Sequence, residues 1–248
     1  MTSEHIVKSF DEQLNRLEHT IAEMGGLAET QLTDAIAALM KRDSEKAAEV
    51  AAADARIDNL ESEVDQLALS LLALRQPMAA DLRVVVCALK TSAIIERIGD
   101  YAKNVAKRTA VLVEFPPVPS AFPVARLGRL AQEMIKDVLD AYVSRDVEKA
   151  EMVRERDKEL DTLYTSIFRE LLTYMMEDPR NITSCTHLLF VAKNIERIGD
   201  HTTNIAENVH FLVHGKRPSE ERQKDDASSF AVVRPMTKGG EAGRERAS

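Results

Sequence analysis

Apolar residues recur every three or four positions along most of the chain, which is the spacing of an amphipathic helix. The clearest apolar seams run over residues 57–74 and 95–112. Prolines and short polar turns separate such stretches, because proline removes a backbone donor that a helix interior needs. The pattern predicts six helices, near residues 3–40, 43–75, 79–113, 122–143, 146–177 and 180–214. Within the first of them, Gly25-Gly26 predicts a kink or a break.

Composition supports an all-α fold of long antiparallel helices. With only 9 Gly and 8 Pro among 248 residues, the chain has too few turn formers for a β-sandwich, a barrel or a disulfide scaffold. The formal net charge of −8 argues against nucleic acid as a partner, since a phosphate backbone attracts basic surfaces. Cys87 and Cys185 lie alone in apolar runs, which predicts buried free thiols. The first residues form no apolar targeting segment, so we expect a cytoplasmic protein.

The sequence contains an internal repeat. The segment ERIGD at 96–100 recurs at 196–200, and the segments 27–47 and 130–150 also match each other. A duplicated three-helix unit explains both matches. We therefore predict two tandem three-helix bundles, six long antiparallel helices in all, related by a pseudo-two-fold axis. The predicted first repeat spans 1–115, the second 121–215, and a disordered tail follows at 216–248.

Each half carries two pairs of acidic residues at i, i+4, a spacing that places both carboxylates on one helix face. The pairs are Asp54 and Asp58, Glu96 and Asp100, Asp157 and Asp161, and Glu196 and Asp200. They flank the apolar seams, so four carboxylates would converge where the second and third helices of a half pack together. Such a cluster repels itself unless protons, arginines or metal ions compensate. Arg56, Arg97 and Arg197 are the candidate arginine partners, whereas carboxylate ligands suit Mg²⁺, Mn²⁺, Ca²⁺ or iron.

Two further patterns bear on this chemistry. Gly99 and Gly199 lie inside predicted helices, where glycine costs about 0.5–1 kcal/mol relative to alanine, which indicates close approach of another helix or room for a ligand. Glu207 to His210 forms a single ExxH motif, with His214 four residues further on. Di-metal bundles use two such motifs, so we interpret this one as chance spacing. No Ser/His/Asp or Cys/His pattern indicates a nucleophilic enzyme.

The segments 96–104, ERIGDYAKN, and 194–207, NIERIGDHTTNIAE, closely resemble the doubled motif of the PhoU family, the phosphate-specific transport system accessory proteins. The resemblance covers about residues 3–215 and implies a pair of three-helix bundles whose acidic motifs bind multinuclear metal clusters. By matching position, it implies that the metal ligands are Asp54, Asp58, Glu96, Asp100, Asp157, Asp161, Glu196 and Asp200. The implied cofactors are divalent or trivalent ions, with Mg, Mn, Fe and Zn as candidates. The tail after Gly215 departs from the family pattern.

The resemblance also implies a regulatory function. Family members repress the phosphate-starvation response by contacting the membrane-bound sensor histidine kinase and the ATPase of the phosphate ABC transporter. They have no known catalytic reaction and commonly form homodimers. We therefore expect an adaptor that reaches the membrane only through its partners. Two alternatives stay open: a carboxylate-bridged di-metal oxidoreductase, which needs a redox-active metal in the bundle, and a structural scaffold in which arginine pairs replace metal.

Overall fold

The computed structural model describes residues 2–75, 79–118 and 121–218, together with Asp226 and Ser228. Nearly all of these residues are helical, and no strand occurs among them. The helices are α1 (Thr2–Lys41), α2 (Ser44–Ala53), α3 (Ala55–Arg75), α4 (Ala79–Leu112), α5 (Ala121–Ser144), α6 (Val147–Glu177) and α7 (Ile182–His214), with a short 3-10 turn at Pro179–Asn181. The predicted all-α class is confirmed.

Helices α4 and α7 pack side by side at the centre of the molecule and run in opposite directions. Tyr101 stacks on His201 with 5.5 Å between ring centroids, and Asn208 donates a hydrogen bond to Thr91 further along the same seam. Helices α1, α2 and α3 pack on α4, whereas α5 and α6 pack on α7. Contact between α1 and α5 joins the two halves a second time. The two bundles therefore share one continuous apolar core.

The second predicted helix is divided into α2 and α3 at Asp54, which the sequence pattern did not predict. The cause is Gln31 of α1, whose Nε2 donates to the Val50 carbonyl at 3.4 Å. In an uninterrupted helix that carbonyl accepts the amide of residue 54. The repeat places Met134 where the first half has Gln31, and a thioether cannot make this bond. Helix α6 accordingly continues without a break past Asp157.

Of the kink or break predicted at Gly25-Gly26, the break is wrong, because α1 continues through both residues. Gly25 instead lets α1 approach α5. A Cβ atom at this position would lie 2.5 Å from the Leu139 Cδ2 atom. Close packing between the two halves therefore offsets the energetic cost of a glycine inside α1.

The remaining structural predictions concern the thiols, the membrane and the tail. Cys87 and Cys185 are buried free thiols, as predicted. Among the helices that the structure describes, none combines the length and the apolar character that a membrane span requires. The predicted disordered tail lies mostly outside the described residues. Residues 216–218, Asp226 and Ser228 are described, and Asp226 and Ser228 are partly buried.

Candidate functional site

The two glycines of the repeated ERIGD segment bring the acidic pairs of neighbouring helices together. A Cβ atom on Gly99 would lie 3.2 Å from Asp54 Oδ1 and 2.9 Å from Ile57 Cδ1. A Cβ atom on Gly199 would lie 3.1 Å from Asp157 Oδ1. These distances confirm the predicted close approach of another helix. Each glycine lets one carboxylate, Asp54 in the first half and Asp157 in the second, lie directly against the ERIGD segment.

In the first half, a lysine lies between these carboxylates. Lys103 Nζ donates to Asp54 Oδ2 at 2.5 Å and to Asp100 Oδ1 at 3.1 Å. Gln31 Nε2 donates to the other oxygen of Asp54, Oδ1, at 3.0 Å. The hydrogen bond to Asp54 is the largest cause that raises the pKa of Lys103 above its usual range. Asp54 is only 2% exposed, so this bond compensates a buried charge.

The other carboxylates of the first half hold more negative charge than one lysine neutralises. Burial raises the pKa of Glu96 to about 7, with repulsion from Asp100 and Glu61 and a hydrogen bond to Asp100 adding to the shift. Burial also raises the pKa of Asp58, and the charge of Asp54 adds to it. At neutral pH the cluster therefore favours a proton or a further cation.

In the second half, the acidic residues lie deeper. Asp157 and Asp161 are each 1% exposed, and Glu196 is 2% exposed. Lys193 Nζ lies 2.8 Å from Glu196 Oε2 and 3.1 Å from Asp226 Oδ2. Burial raises the pKa of Glu196 even though Lys193 opposes the shift. A residue beyond α7 therefore reaches back to the second acidic cluster.

The two halves supply their lysines from different positions, so the clusters are not equivalent. Lys103 stands where the repeat has Thr203, and Lys193 stands where it has Ala93. Sequence reasoning missed both lysines. The available signal was their i, i+3 spacing from Asp100 and Glu196, which places them on the same helix faces as those carboxylates.

The arginines expected as partners of the acidic pairs lie elsewhere. Arg56 pairs with Glu23 at 2.7 Å, and the Arg197 guanidinium lies 5.7 Å from the ring centroid of Tyr101. Arg97 lies near Glu61 and opposes the rise of its pKa, which burial causes. At Asp54, Asp100 and Glu196 the observed ion pairs are with lysines and not with these arginines.

Comparison with known proteins shows which family has this architecture. The PhoU domain family model matches residues 21–109 and 124–209, once in each half. The chain belongs to the PhoU family. A phosphate-specific transport system accessory protein PhoU homolog of Caulobacter vibrioides is 52% identical over 92% of this chain and 99% of its own length. The corresponding Rhizobium meliloti protein is 50% identical over 92% of this chain and 97% of its own length.

Solved PhoU structures share the fold. The crystal structure of PhoU from Pseudomonas aeruginosa has a TM-score of 0.81 and 39% identity, covering 84% of this chain and 100% of that one. The phosphate transport system regulatory protein PhoU from Streptococcus pneumoniae has a TM-score of 0.79 and 27% identity, covering 85% of this chain and 100% of that one. The predicted tandem of helical bundles is thus confirmed.

The metal ligands that PhoU resemblance implies stay a prediction. The donor set fits a hard cation, since it consists of carboxylate oxygens with excess negative charge. Within the described residues, however, no three acidic, His or Cys side chains are arranged to hold an ion as they stand. Lys103 lies between Asp54 and Asp100. A metal would therefore have to displace the ammonium group and draw the carboxylates together.

The ExxH motif takes no part in either acidic cluster. His210 Nδ1 lies 2.8 Å from the carbonyl oxygen of Lys216, and its ring centroid lies 4.7 Å from that of His214. Glu207 lines a different cavity, between α4 and α7.

Proposed function

We propose that this PhoU family chain is an adaptor that represses phosphate-starvation signalling. In this proposal it contacts the sensor histidine kinase of the phosphate regulon and the ATPase of the phosphate ABC transporter, and it catalyses no reaction. Its relatives' names, accessory protein of a phosphate-specific transport system and phosphate transport system regulatory protein, support this assignment. Long helices with exposed outer faces offer extended surfaces for such partners.

The observation that carries the proposal is the pair of acidic clusters at matching points of the repeat. We propose that divalent or trivalent ions bind there, with Mg, Mn, Fe and Zn as candidates. A bound ion supplies positive charge to carboxylates that otherwise require a lysine or a proton. Each cluster joins the second and third helices of its half, through Asp54 beside Gly99 and through Asp157 beside Gly199. Ion binding would therefore stabilise the folded bundle and the surface that partners recognise.

The first experiment measures metal content. Protein purified without chelators is analysed for metals, together with an Asp100→Ala/Asp200→Ala variant and a matched control, Glu49→Ala/Glu45→Ala, at exposed positions of α2. We expect bound metal in the wild-type chain and the control, and a loss of at least half in the double variant. Equal metal content in all three proteins would contradict binding at the acidic clusters.

The second experiment measures the regulatory function and the partners. In a strain that lacks its own PhoU protein, the wild-type chain should restore repression of a phosphate-starvation reporter, and the isolated chain should bind the cytoplasmic part of the histidine kinase and the ATPase. We expect metal removal to weaken both interactions. Unchanged partner binding after metal removal would separate the adaptor function from the ions. Light scattering of the same protein tests the expected homodimer.

The oxidoreductase alternative is tested with the same preparations. Iron-loaded protein that consumed oxygen, with the activity lost on Glu96→Ala, would favour the enzyme over the adaptor.

A further inference from the structure

A cavity of about 360 Å³ lies between α4 and α7, and its lining is basic although the chain as a whole is acidic. Lys90 and Arg97 line it from α4, and Arg217 lines it from the segment after α7. Asn204 and Glu207 line it from α7. We call this cavity the basic pocket. Three cations and one carboxylate give it a net positive charge in a protein of net charge −8.

The cations of the basic pocket form no ion pair within the described residues, although Arg97 also lies near Glu61. Among the ion pairs of the described residues, none involves Lys90, Arg97 or Arg217. The ammonium nitrogen of Lys90 lies 5.4 Å from the ring centroid of Phe211, within the range of a cation–π interaction. The three exposed side chains line one cavity, so a single small anion could contact all of them.

These groups match a tetrahedral oxyanion. An arginine fork donates two parallel hydrogen bonds to a pair of phosphate oxygens, a lysine adds a point charge, and the Asn204 amide is a further donor. Glu207 distinguishes one oxyanion from another. At neutral pH hydrogen phosphate carries a P–OH proton that a carboxylate can accept, whereas sulfate and a fully ionised phosphate ester carry none.

We propose that the basic pocket binds inorganic phosphate, with Arg97, Lys90 and Arg217 holding its oxygens and Glu207 accepting its proton. The proposal depends neither on metal at the acidic clusters nor on a protein partner. Binding can be measured on the isolated full-length chain, so a negative result would leave the adaptor function intact.

Isothermal titration calorimetry at constant ionic strength and pH 7.5 tests the affinity. Phosphate should bind saturably, and Arg97→Gln should weaken it about tenfold, the loss expected for one charged hydrogen bond. Arg197→Gln is the matched control, because this arginine occupies the same position in the other repeat and lies over Tyr101, outside the pocket. Both residues are exposed, so both variants should fold, as their melting temperatures will show. Absence of saturable phosphate binding, or equal weakening by both variants, would overturn the proposal.

Competing anions and Glu207→Gln test the role of the carboxylate. The wild-type chain should bind phosphate at least tenfold more tightly than sulfate, since sulfate would place an unprotonated oxygen against Glu207. Glu207→Gln should abolish this preference by weakening phosphate and strengthening sulfate. If the wild-type chain bound sulfate or adenosine monophosphate as tightly as phosphate, or more tightly, the assignment to inorganic phosphate would be overturned.

Discussion

Replacing Lys103 with methionine removes the ammonium group between Asp54 and Asp100 and keeps most of the length of the side chain. Asp54 would lose its 2.5 Å partner while its side chain stays only 3% exposed. The remaining hydrogen bond from Gln31 is uncharged. The variant therefore leaves a buried carboxylate with incomplete compensation, which is among the more costly changes a folded protein can undergo.

The expected loss follows from the burial of the two carboxylates. The charged hydrogen bond to Asp54 contributes about 1.5–3 kcal/mol, because it is formed away from water. The pair with Asp100, whose side chain is 46% exposed, contributes about 0–1 kcal/mol. Lys103→Met should therefore lower the free energy of unfolding by about 1.5–4 kcal/mol. For a chain of this size the melting temperature should fall by about 3–16 °C.

Urea denaturation and thermal melting in the presence of a chelator measure this loss. Lys107→Met is the control, because Lys107 is an exposed residue one turn further along α4 and has no ion pair among the described residues. Added Mn²⁺ or Mg²⁺ should then raise the melting temperature of Lys103→Met more than that of the wild type, since the ion need not displace an ammonium group. If Lys103→Met were as stable as the wild type in chelator, compensation of Asp54 by Lys103 would be refuted. If added metal raised the melting temperatures of both proteins equally, competition between the ion and the Lys103 ammonium group would be refuted.

Three further predictions concern pH, packing and the tail. The pKa of Glu96 is about 7 in the folded chain against an ordinary value of 4.5, so folding favours the protonated form of Glu96. The contribution of Glu96 to stability is therefore full below about pH 4.5 and is lost as the pH rises through 7. Urea denaturation should show a loss of about 1–2 kcal/mol between about pH 5 and pH 8, after allowance for solvent screening, and Glu96→Gln should remove it. Gly99→Ala should lower the free energy of unfolding by about 1–2 kcal/mol, because the added Cβ would overlap neighbouring side chains. Gly26→Ala should raise it by about 0.5–1 kcal/mol, because no atom lies within 4 Å of the added Cβ. Identical effects of the two substitutions would contradict the packing role of Gly99. Asp226→Ala should cost about 0.5–1.5 kcal/mol in thermal unfolding through the lost pair with Lys193, and no change would show that the pair is not formed in solution.

The helices and the repeat could be predicted from the sequence because their causes are local or periodic. The apolar spacing, the prolines and the repeated ERIGD segment each act within one helix or recur at a fixed interval. The cost of glycine in a helix predicted that another helix lies close to Gly99 and Gly199, and the structure confirms this prediction.

Tertiary packing alone decided the features that join different helices. Gln31 divides the second predicted helix at Asp54 by bonding a carbonyl on a neighbouring helix, and no pattern within residues 44–75 signals this. The lysines near the carboxylates depend equally on which helix faces meet. The spacing showed that the acidic residues of each pair lie on one helix face. Packing between helices determined that Lys103 lies against Asp54 and Asp100, and that Lys193 lies against Glu196 and Asp226. Local sequence fixes the direction of a side chain on its helix, whereas its partner depends on contacts between residues far apart in the chain.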